Sequence, residues 1–364
     1  MNDFRHPKDV NITQSFKDDS LRRDISINAL GLTKDGEVVD YQGGVEDIKN
    51  KIIRAVGEPK QRFIEDALRL LRVLRFSSKL GFTIEPKTLK AIKELNYLID
   101  KVSKERITDE LMKTAAAGGK ALANFIERMD ETGVLEKILP EVKALQGMAQ
   151  PKAHHPEGDS WAHTIEALKV ARTNDPITNI CILLHDVGKN KNTLDYKDGE
   201  PTYYGHHHES AKLVDQIADR LKFSNEIREA VKFVAENHML GYQIKGGMKK
   251  STMLSLINSP YWEHLKETFY ADIMSRGIPE KIKDFNDIVG QLEEVQKTMG
   301  QKQEFENKMK ALVDGRMIMQ LVPGIKGQDI GKIKDQTREW IINKKFNVTP
   351  EEVNDYIKKA SMML

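Results

Sequence analysis

The 364-residue sequence has a single cysteine, Cys181. One thiol forms no internal disulfide and builds no thiolate metal site, so a reducing cytoplasm is the expected setting. No run of about 18 apolar residues occurs, which leaves no candidate for a membrane-spanning helix. The opening MNDFRHPKDV lacks the apolar stretch of a secretory leader. An excess of one charge is also missing: 57 Lys and Arg stand against 55 Asp and Glu, a net of +2. That balance excludes a wholesale polycation and leaves room for a local basic face, as a nucleic-acid enzyme needs. What is present is an ordinary folding composition, 39% hydrophobic and 31% charged, long enough for two or three domains with ample core.

Residues 21–57 read as short strands and turns. Ile25, Ile27 and Ala29 alternate with Ser26 and Asn28, Asp35-Gly36 signals a tight turn before Val38-Val39, and VEDIKNKI reads as a short helix. After Pro59 the apolar residues recur at three and four, and helical stretches are expected over 86–99, 103–117 and 119–132. The loop GMAQPKAHHPEGDS (147–160) marks a boundary. From Trp161 the pattern is helical again, with a Gly/Tyr/His-rich break at 199–208 and a glycine-rich turn, VPGIKGQDIG, at 322–331. That turn either offers backbone N–H groups to phosphate, with Lys332 and Lys334 beside it, or simply links two helices. Trp161 and Trp262 read as packing residues. The expected fold is mostly α with a small strand-containing piece at the N-terminus.

His185-Asp186 follows the apolar run ICILL and precedes Val187-Gly188-Lys189. A His-Asp pair at the end of a buried helix points two ligands into one cavity. His163 lies upstream, His206, His207 and His208 follow Gly205, and His238 and Asp272 come later. Imidazole and carboxylate without thiolate suit zinc, manganese, nickel, cobalt or iron better than magnesium. Such a centre lowers the pKa of bound water and clamps a phosphoryl oxygen. Each histidine taken alone is as well read as a hydrogen-bonded core residue. Together, His163, His185-Asp186 and Asp272 resemble the H…HD…D pattern of the HD-domain phosphohydrolase superfamily. The resemblance implies that these four bind metal, with His185 and Asp186 at the catalytic centre. It also implies that His206 and His238 match the extra pair of two-metal members. His207 and His208 stay open as turn residues, and His154-His155 as loop residues.

Two adjacent arginines, Arg22 and Arg23, could grip a triphosphate in bidentate fashion or form a surface cluster. Asp66 and Arg69, three apart, are expected on one helical face, either as a surface ion pair or as a reader of bases. Cytosine and adenine each present an amino donor beside a ring-nitrogen acceptor, so one Asp–Arg pair would accept both and reject guanine and uracil. Arg62, Arg69, Arg72 and Arg75 are expected along one side of a helix, where they could track an RNA stem.

The segments RRDISINALGL, VDYQGGVEDIKNKIIRAVGEP, RFIEDALRLLRVLRFSSKLGF and ERITDELMK occur in this order. They resemble the class II tRNA nucleotidyltransferases, the bacterial CCA-adding enzymes and their poly(A) polymerase relatives. The tail DGRMIMQLVPGIKGQDIGKIKDQTREWI (314–341) is similar to that family's late Gly-rich segment. The resemblance implies a partial nucleotidyltransferase head, a small α/β remnant, over 1–57. It implies a helical neck and RNA-binding section over 58–146, an HD section over 147–280 and a helical tail over 281–364. Arg22, Arg23 and Asp24 would contact nucleotide, with Asp66, Arg69 and Arg72 on the neck, and Glu105-Arg106-Ile107 would brace the neck. The partners implied are the tRNA 3′ end, CTP and ATP, with magnesium for transfer and nickel, manganese or zinc at the HD site.

The family's polymerase chemistry uses Gly-Ser followed by Asp-x-Asp, and no strict Asp-x-Asp occurs here. Asp35-Gly36-Glu37 and Asp198-Gly199-Glu200 have the spacing but read as turns, and Asp18-Asp19 would point to opposite faces of a strand. The expectation is therefore a chain that lacks the front half of the head and does not polymerise by itself: a separate chain supplies the head, or the start given is not the biological start, or the transferase has been lost. Two rival readings are a stand-alone HD phosphohydrolase acting on RNA ends or nucleotides, and a non-catalytic tRNA-binding protein.

Overall fold

The computed structural model describes residues 15–151, 156, 158–244, 247–325, 327–344 and 347–362; His154, His155, Lys326 and the first ten residues lie outside this set. The chain is mostly helical, and the strands among the described residues form three two-stranded sheets. It divides into two compact units, Met1–Val289 and Gly290–Leu364.

At the start of the first unit, Ser15 caps the helix Phe16–Arg22, so Asp18 and Asp19 sit on a helix and not on a strand. The alternation at 25–29 also misleads. Ser26–Asn28 is a 3-10 turn, and the β contact here is one bridge between Ile25 and Ala55. The cause is tertiary. The Ser26 hydroxyl donates to the buried Asp47 carboxylate at 2.5 Å. Gly44 lets that helix (Gly44–Lys49) close in, since a Cβ would lie 2.4 Å from the Ser26 carbonyl oxygen. Gly31–Leu32 pairs antiparallel with Val38–Val39 across the turn at Gly36, and Ile52–Ile53 pairs parallel with Thr83–Ile84. Arg54 then bridges Asp47 at 2.9 Å and Glu85 at 3.2 Å, fastening the small N-terminal piece to the helices that follow.

The neck is two helices, Pro59–Glu65 and Leu68–Leu80. Asp66 stands between them in extended conformation, and its carboxylate accepts from the Leu68 N–H at 3.1 Å. The helices Lys104–Ala115 and Gly119–Glu131 pack on the neck. They also pack on the next group, Ser160–Val170 and Pro176–Leu184. Each of those two starts on an aspartate cap, Asp159 and Asp175. The ICILL helix has no polar face because it is surrounded: it packs on Lys104–Ala115, Ser160–Val170, Asn225–Asn237 and Trp262–Met274. The break read at 199–208 is a hairpin, Leu194–Lys197 with Glu200–Tyr203, turning at Asp198-Gly199. His206, His207 and His208 form the first turn of the helix His206–Leu221. Trp262 is buried edge-on against Phe269, and Trp161 is half-buried.

The second unit gathers Met309, Val313, Ile318, Ile333, Ile341, Val353 and Ile357 into its own core. Its helix Pro350–Ser361 begins on a reciprocal Thr349/Glu352 cap. The glycine-rich turn links the helices Gly315–Leu321 and Gly327–Asn343, with Gly324 at positive φ.

One buried side chain ties the helix Lys104–Ala115 to the ICILL helix. Asn179 donates to the Ala115 carbonyl at 2.9 Å and to the Thr173 carbonyl at 3.1 Å. Asn179→Ala strands both carbonyls, so a cost of about 1–3 kcal/mol is expected, read as a lower urea midpoint. An unchanged midpoint would remove this residue from the account of the junction.

Candidate metal centre and neck

The ICILL helix ends at Leu184, and the chain turns so that His185 and Asp186 enter one buried cluster of polar side chains. Gly188 permits the turn: a Cβ there would meet the His206 carbonyl oxygen at 2.2 Å. His163, His206, His238 and Asp272 arrive from four other helices or helix ends, and all six groups are buried. The structure thus brings together every metal candidate read from the sequence.

The histidine tautomers follow from the groups that face their Nδ1 atoms. The Nδ1 atoms of His185, His206 and His238 lie 2.8, 2.7 and 2.8 Å from the carbonyls of Ile182, Tyr203 and Ala235. A carbonyl only accepts, so each Nδ1 donates. Ser275 Oγ spends its proton on the Asp272 carbonyl at 2.7 Å and therefore accepts from His163 Nδ1 at 3.1 Å. All four Nε2 atoms consequently turn lone pairs inward, the arrangement of metal-ligating histidines.

Those lone pairs face carboxylates. His163 Nε2 is 3.1 Å from Asp272 Oδ1 and 3.7 Å from Asp186 Oδ2. His185 Nε2 is 3.3 Å from Asp186 Oδ2. On the other oxygen, Asp186 Oδ1 is 3.2 Å from His206 Nε2 and 3.3 Å from His238 Nε2. Asp186 Oδ1 and His185 Nε2 have no hydrogen-bond partner. Two ligands at ~2.1 Å from one ion stand about 3.0–3.4 Å apart in octahedral or tetrahedral geometry. The spacing and the orphaned atoms therefore fit divalent cations. His163, His185 and Asp272 form one ligand group, and Asp186, His206 and His238 a second.

Burial works to raise the Asp186 carboxyl, but the Lys189 ammonium beside it outweighs burial and holds the group well below the usual carboxylate range. Lys189 Nζ is 2.7 Å from Asp186 Oδ2 and donates to Gln150 at 2.8 Å. Burial likewise opposes ionisation of Asp272, and the Arg276 guanidinium works against burial and helps hold that carboxyl low. Lys189, Gln150, Ser275 and Arg276 were not assigned roles from sequence. HDVGK and YADIMSRG place three of them, Lys189, Ser275 and Arg276, near the motif, but nothing in the spacing shows which atoms meet.

The neck differs from expectation in its pairings. Asp66 ends one helix and Arg69 lies in the next, so they do not share a helical face. Asp66 pairs with Arg106 at 2.9 Å, while Arg69 pairs with Glu65 at 2.9 Å and donates to the Arg22 and Arg62 carbonyls. Arg62 donates to the Leu21 carbonyl at 2.9 Å, so two neck arginines cap the end of the helix Phe16–Arg22. Arg22 and Arg23 both pair with Asp19, and Asp24 pairs with Arg72 at 2.7 Å. Arg75 is buried against Glu110. The four neck arginines are therefore engaged within the chain and do not form an open row for RNA.

A family model described as the poly A polymerase head domain matches residues 1–54, and one described as the probable RNA and SrmB-binding site of polymerase A matches 81–146. The multifunctional CCA protein of Teredinibacter turnerae is 34% identical over 233 residues, 62% of this chain and 55% of that protein. That of Shewanella denitrificans is 33% identical over 262 residues, 70% of this chain and 61% of that protein. The chain thus spans about 55–61% of the length of these curated relatives. The crystal structure of the Bacillus stearothermophilus CCA-adding enzyme in complex with CTP superposes with a TM-score of 0.53 at 21% identity, covering 97% of this chain and 76% of that one. This likeness shows a shared, mostly α fold. The class is that of head-and-neck nucleotidyltransferases, and the chain belongs to the bacterial-type CCA-adding family. The head match falls on this chain itself, and a separate chain carrying the head is not supported.

Burial pushes His238 down from 6.5 to about 4. Folded protein then binds fewer protons than unfolded, so this contribution is full above 6.5 and fades as pH falls toward 4. The loss is about 3 kcal/mol at most. Metal-free protein should show its denaturation midpoint falling across that window, with a flatter profile for His238→Gln. Coincident profiles would refute the assignment.

Proposed function

We propose that this chain is a tRNA nucleotidyltransferase-family protein whose own complete reaction centre is a metal-dependent phosphohydrolase. The observation that carries the reading is the inward convergence of four Nε2 lone pairs on Asp186 and Asp272. His163, His185 and Asp272 would hold one cation and His206 and His238 a second, with Asp186 between them. Nickel, manganese and zinc suit this donor set. A cation pair supplies an acidified water and a clamp for phosphoryl oxygen. The protein's part is to fix ligand direction through the carbonyls of Ile182, Tyr203 and Ala235 and the Ser275 hydroxyl. Lys189 keeps Asp186 ionised and adds positive charge beside the reacting phosphate. Asp186→Ala should lower hydrolysis of bis-p-nitrophenyl phosphate by more than about 100-fold, beyond the roughly 10–100-fold that a supporting residue costs. Metal content measured on the same preparations should fall in parallel. Intact activity in the variant would end the assignment.

Family membership favours a second, nucleotide-directed role for the neck. We infer that Asp66, Arg69 and Arg72 select CTP and ATP, that Arg22, Arg23 and Asp24 hold the phosphate end, and that helices over 58–146 bind the tRNA 3′ end. Magnesium would serve the transfer. The Asp66–Arg106 pair would open on base recognition, since a carboxylate accepts the amino proton that cytosine and adenine share. Asp66→Ala should reduce the preference for CTP and ATP over GTP and UTP in equilibrium binding by about ten-fold. Unchanged preference would sink the templating role.

A further inference from the structure

The loop that opens at Gly147 brings one further side chain to the ligand cluster, and four successive residues fix it there. The Gly147 N–H donates to the Asp159 carboxylate at 2.7 Å, and Asp159 caps the helix that bears His163. The Met148 carbonyl accepts from the Ser160 N–H at 2.9 Å. The Ala149 carbonyl accepts from the Tyr203 hydroxyl at 2.9 Å, and the Tyr203 carbonyl in turn receives His206 Nδ1. Gln150 Oε1 accepts from Lys189 Nζ at 2.8 Å, and that ammonium lies 2.7 Å from Asp186 Oδ2. Gln150 is thus one ammonium away from the carboxylate at the middle of the cluster.

Gln150 is 6% exposed, and its Nε2 has no hydrogen-bond partner. Turning the amide over does not repair this, because an ammonium only donates and must face Oε1. Amide oxygen and nitrogen share one carbon, so Nε2 stands within about 5 Å of the Lys189 ammonium. An unpaired buried donor is costly, so one held this firmly calls for an acceptor that arrives later.

The orphaned atoms around Asp186 are of two kinds. His185 Nε2 and Asp186 Oδ1 are acceptors, and cations answer them. Gln150 Nε2 carries two N–H groups, which a cation repels and only an acceptor atom satisfies. Beside an ammonium and a set of cation ligands, the acceptor that fits is an anionic oxygen. The pinned backbone matters here, because a donor aimed before the oxygen arrives loses nothing to reorganisation.

We propose that Gln150 is a substrate-positioning residue of the centre: Oε1 seats the Lys189 ammonium on Asp186, and Nε2 donates to a non-bridging phosphoryl oxygen. The inference rests on the phosphohydrolase reading for the identity of that oxygen, and it adds to that reading a residue outside the ligand set.

The test uses the manganese-loaded full chain, with calorimetric binding of inorganic phosphate as the readout and metal analysis on the same samples. Two variants remove the donor by different routes: Gln150→Glu keeps an oxygen for Lys189, and Gln150→Met adds no charge. Gln150→Leu replaces the latter should the methionine variant not fold. Both variants should bind phosphate at least about ten-fold more weakly than wild type, at unchanged manganese content. Loss in the glutamate variant alone is charge repulsion, and loss in the neutral variant alone is release of Lys189; either overturns the donor. So do wild-type affinity in both variants, a wild type that binds no phosphate, and manganese lost together with phosphate. Hydrolysis of bis-p-nitrophenyl phosphate is followed in parallel. A wild type that binds phosphate through Gln150 yet hydrolyses no phosphoester defeats the phosphohydrolase reading and leaves Gln150 as an anion-positioning residue. An active wild type whose two variants bind and turn over as it does defeats the role of Gln150 and leaves the reading in place.

Discussion

A carboxylate buried among lone pairs is the constraint around which the first unit is arranged. Asp186 has two imidazole nitrogens against each oxygen, and Asp272 adds a second carboxylate to the same cluster. Uncompensated, such a group would cost several kcal/mol in a medium of low dielectric. Lys189 and Arg276 offset part of that cost from the edges. The atoms they leave unsatisfied point at the middle, where positive charge is still wanted. The helices Ser160–Val170, Pro176–Leu184, Asn225–Asn237 and Trp262–Met274 pack on one another so that their polar ends meet there.

The neck distributes charge on another principle. Arg62, Arg69 and Arg72 are partly exposed, yet each closes a contact that holds the small N-terminal piece in place, Arg62 and Arg69 on helix-end carbonyls and Arg72 on Asp24, while Arg75 is buried against Glu110 of the helix Lys104–Ala115. Guanidinium suits this work because its planar fork serves several acceptors at once. The buried histidine and aspartate cluster and these arginines are thus two ways of placing charge, one closed and one partly open.

Much of this was legible in the chain. ICILL followed by His-Asp announces a buried helix that ends in polar groups, and the order of RRD, EDALR and ERI carries the family. The histidines were legible as a set and ambiguous one at a time, since a buried imidazole with its Nδ1 on a carbonyl looks the same whether or not it binds metal. Where local pattern misled, a distant partner had decided the matter. Ser26 turns toward Asp47 and the expected strand becomes a 3-10 turn; Asp66 leaves its helix and meets Arg106.

The sequence by itself determined the helical content, the caps and the motif order, because these depend on residue type and short-range spacing, while the six ligand candidates came from the resemblance to the H…HD…D pattern. Tertiary structure alone decided which oxygen of Asp186 faces which pair of histidines, which nitrogen of each ring turns inward, and which arginine holds which carboxylate. Such contacts join residues as far as 112 positions apart, as His163 and Ser275 are, and their geometry is set by packing that local pattern does not encode.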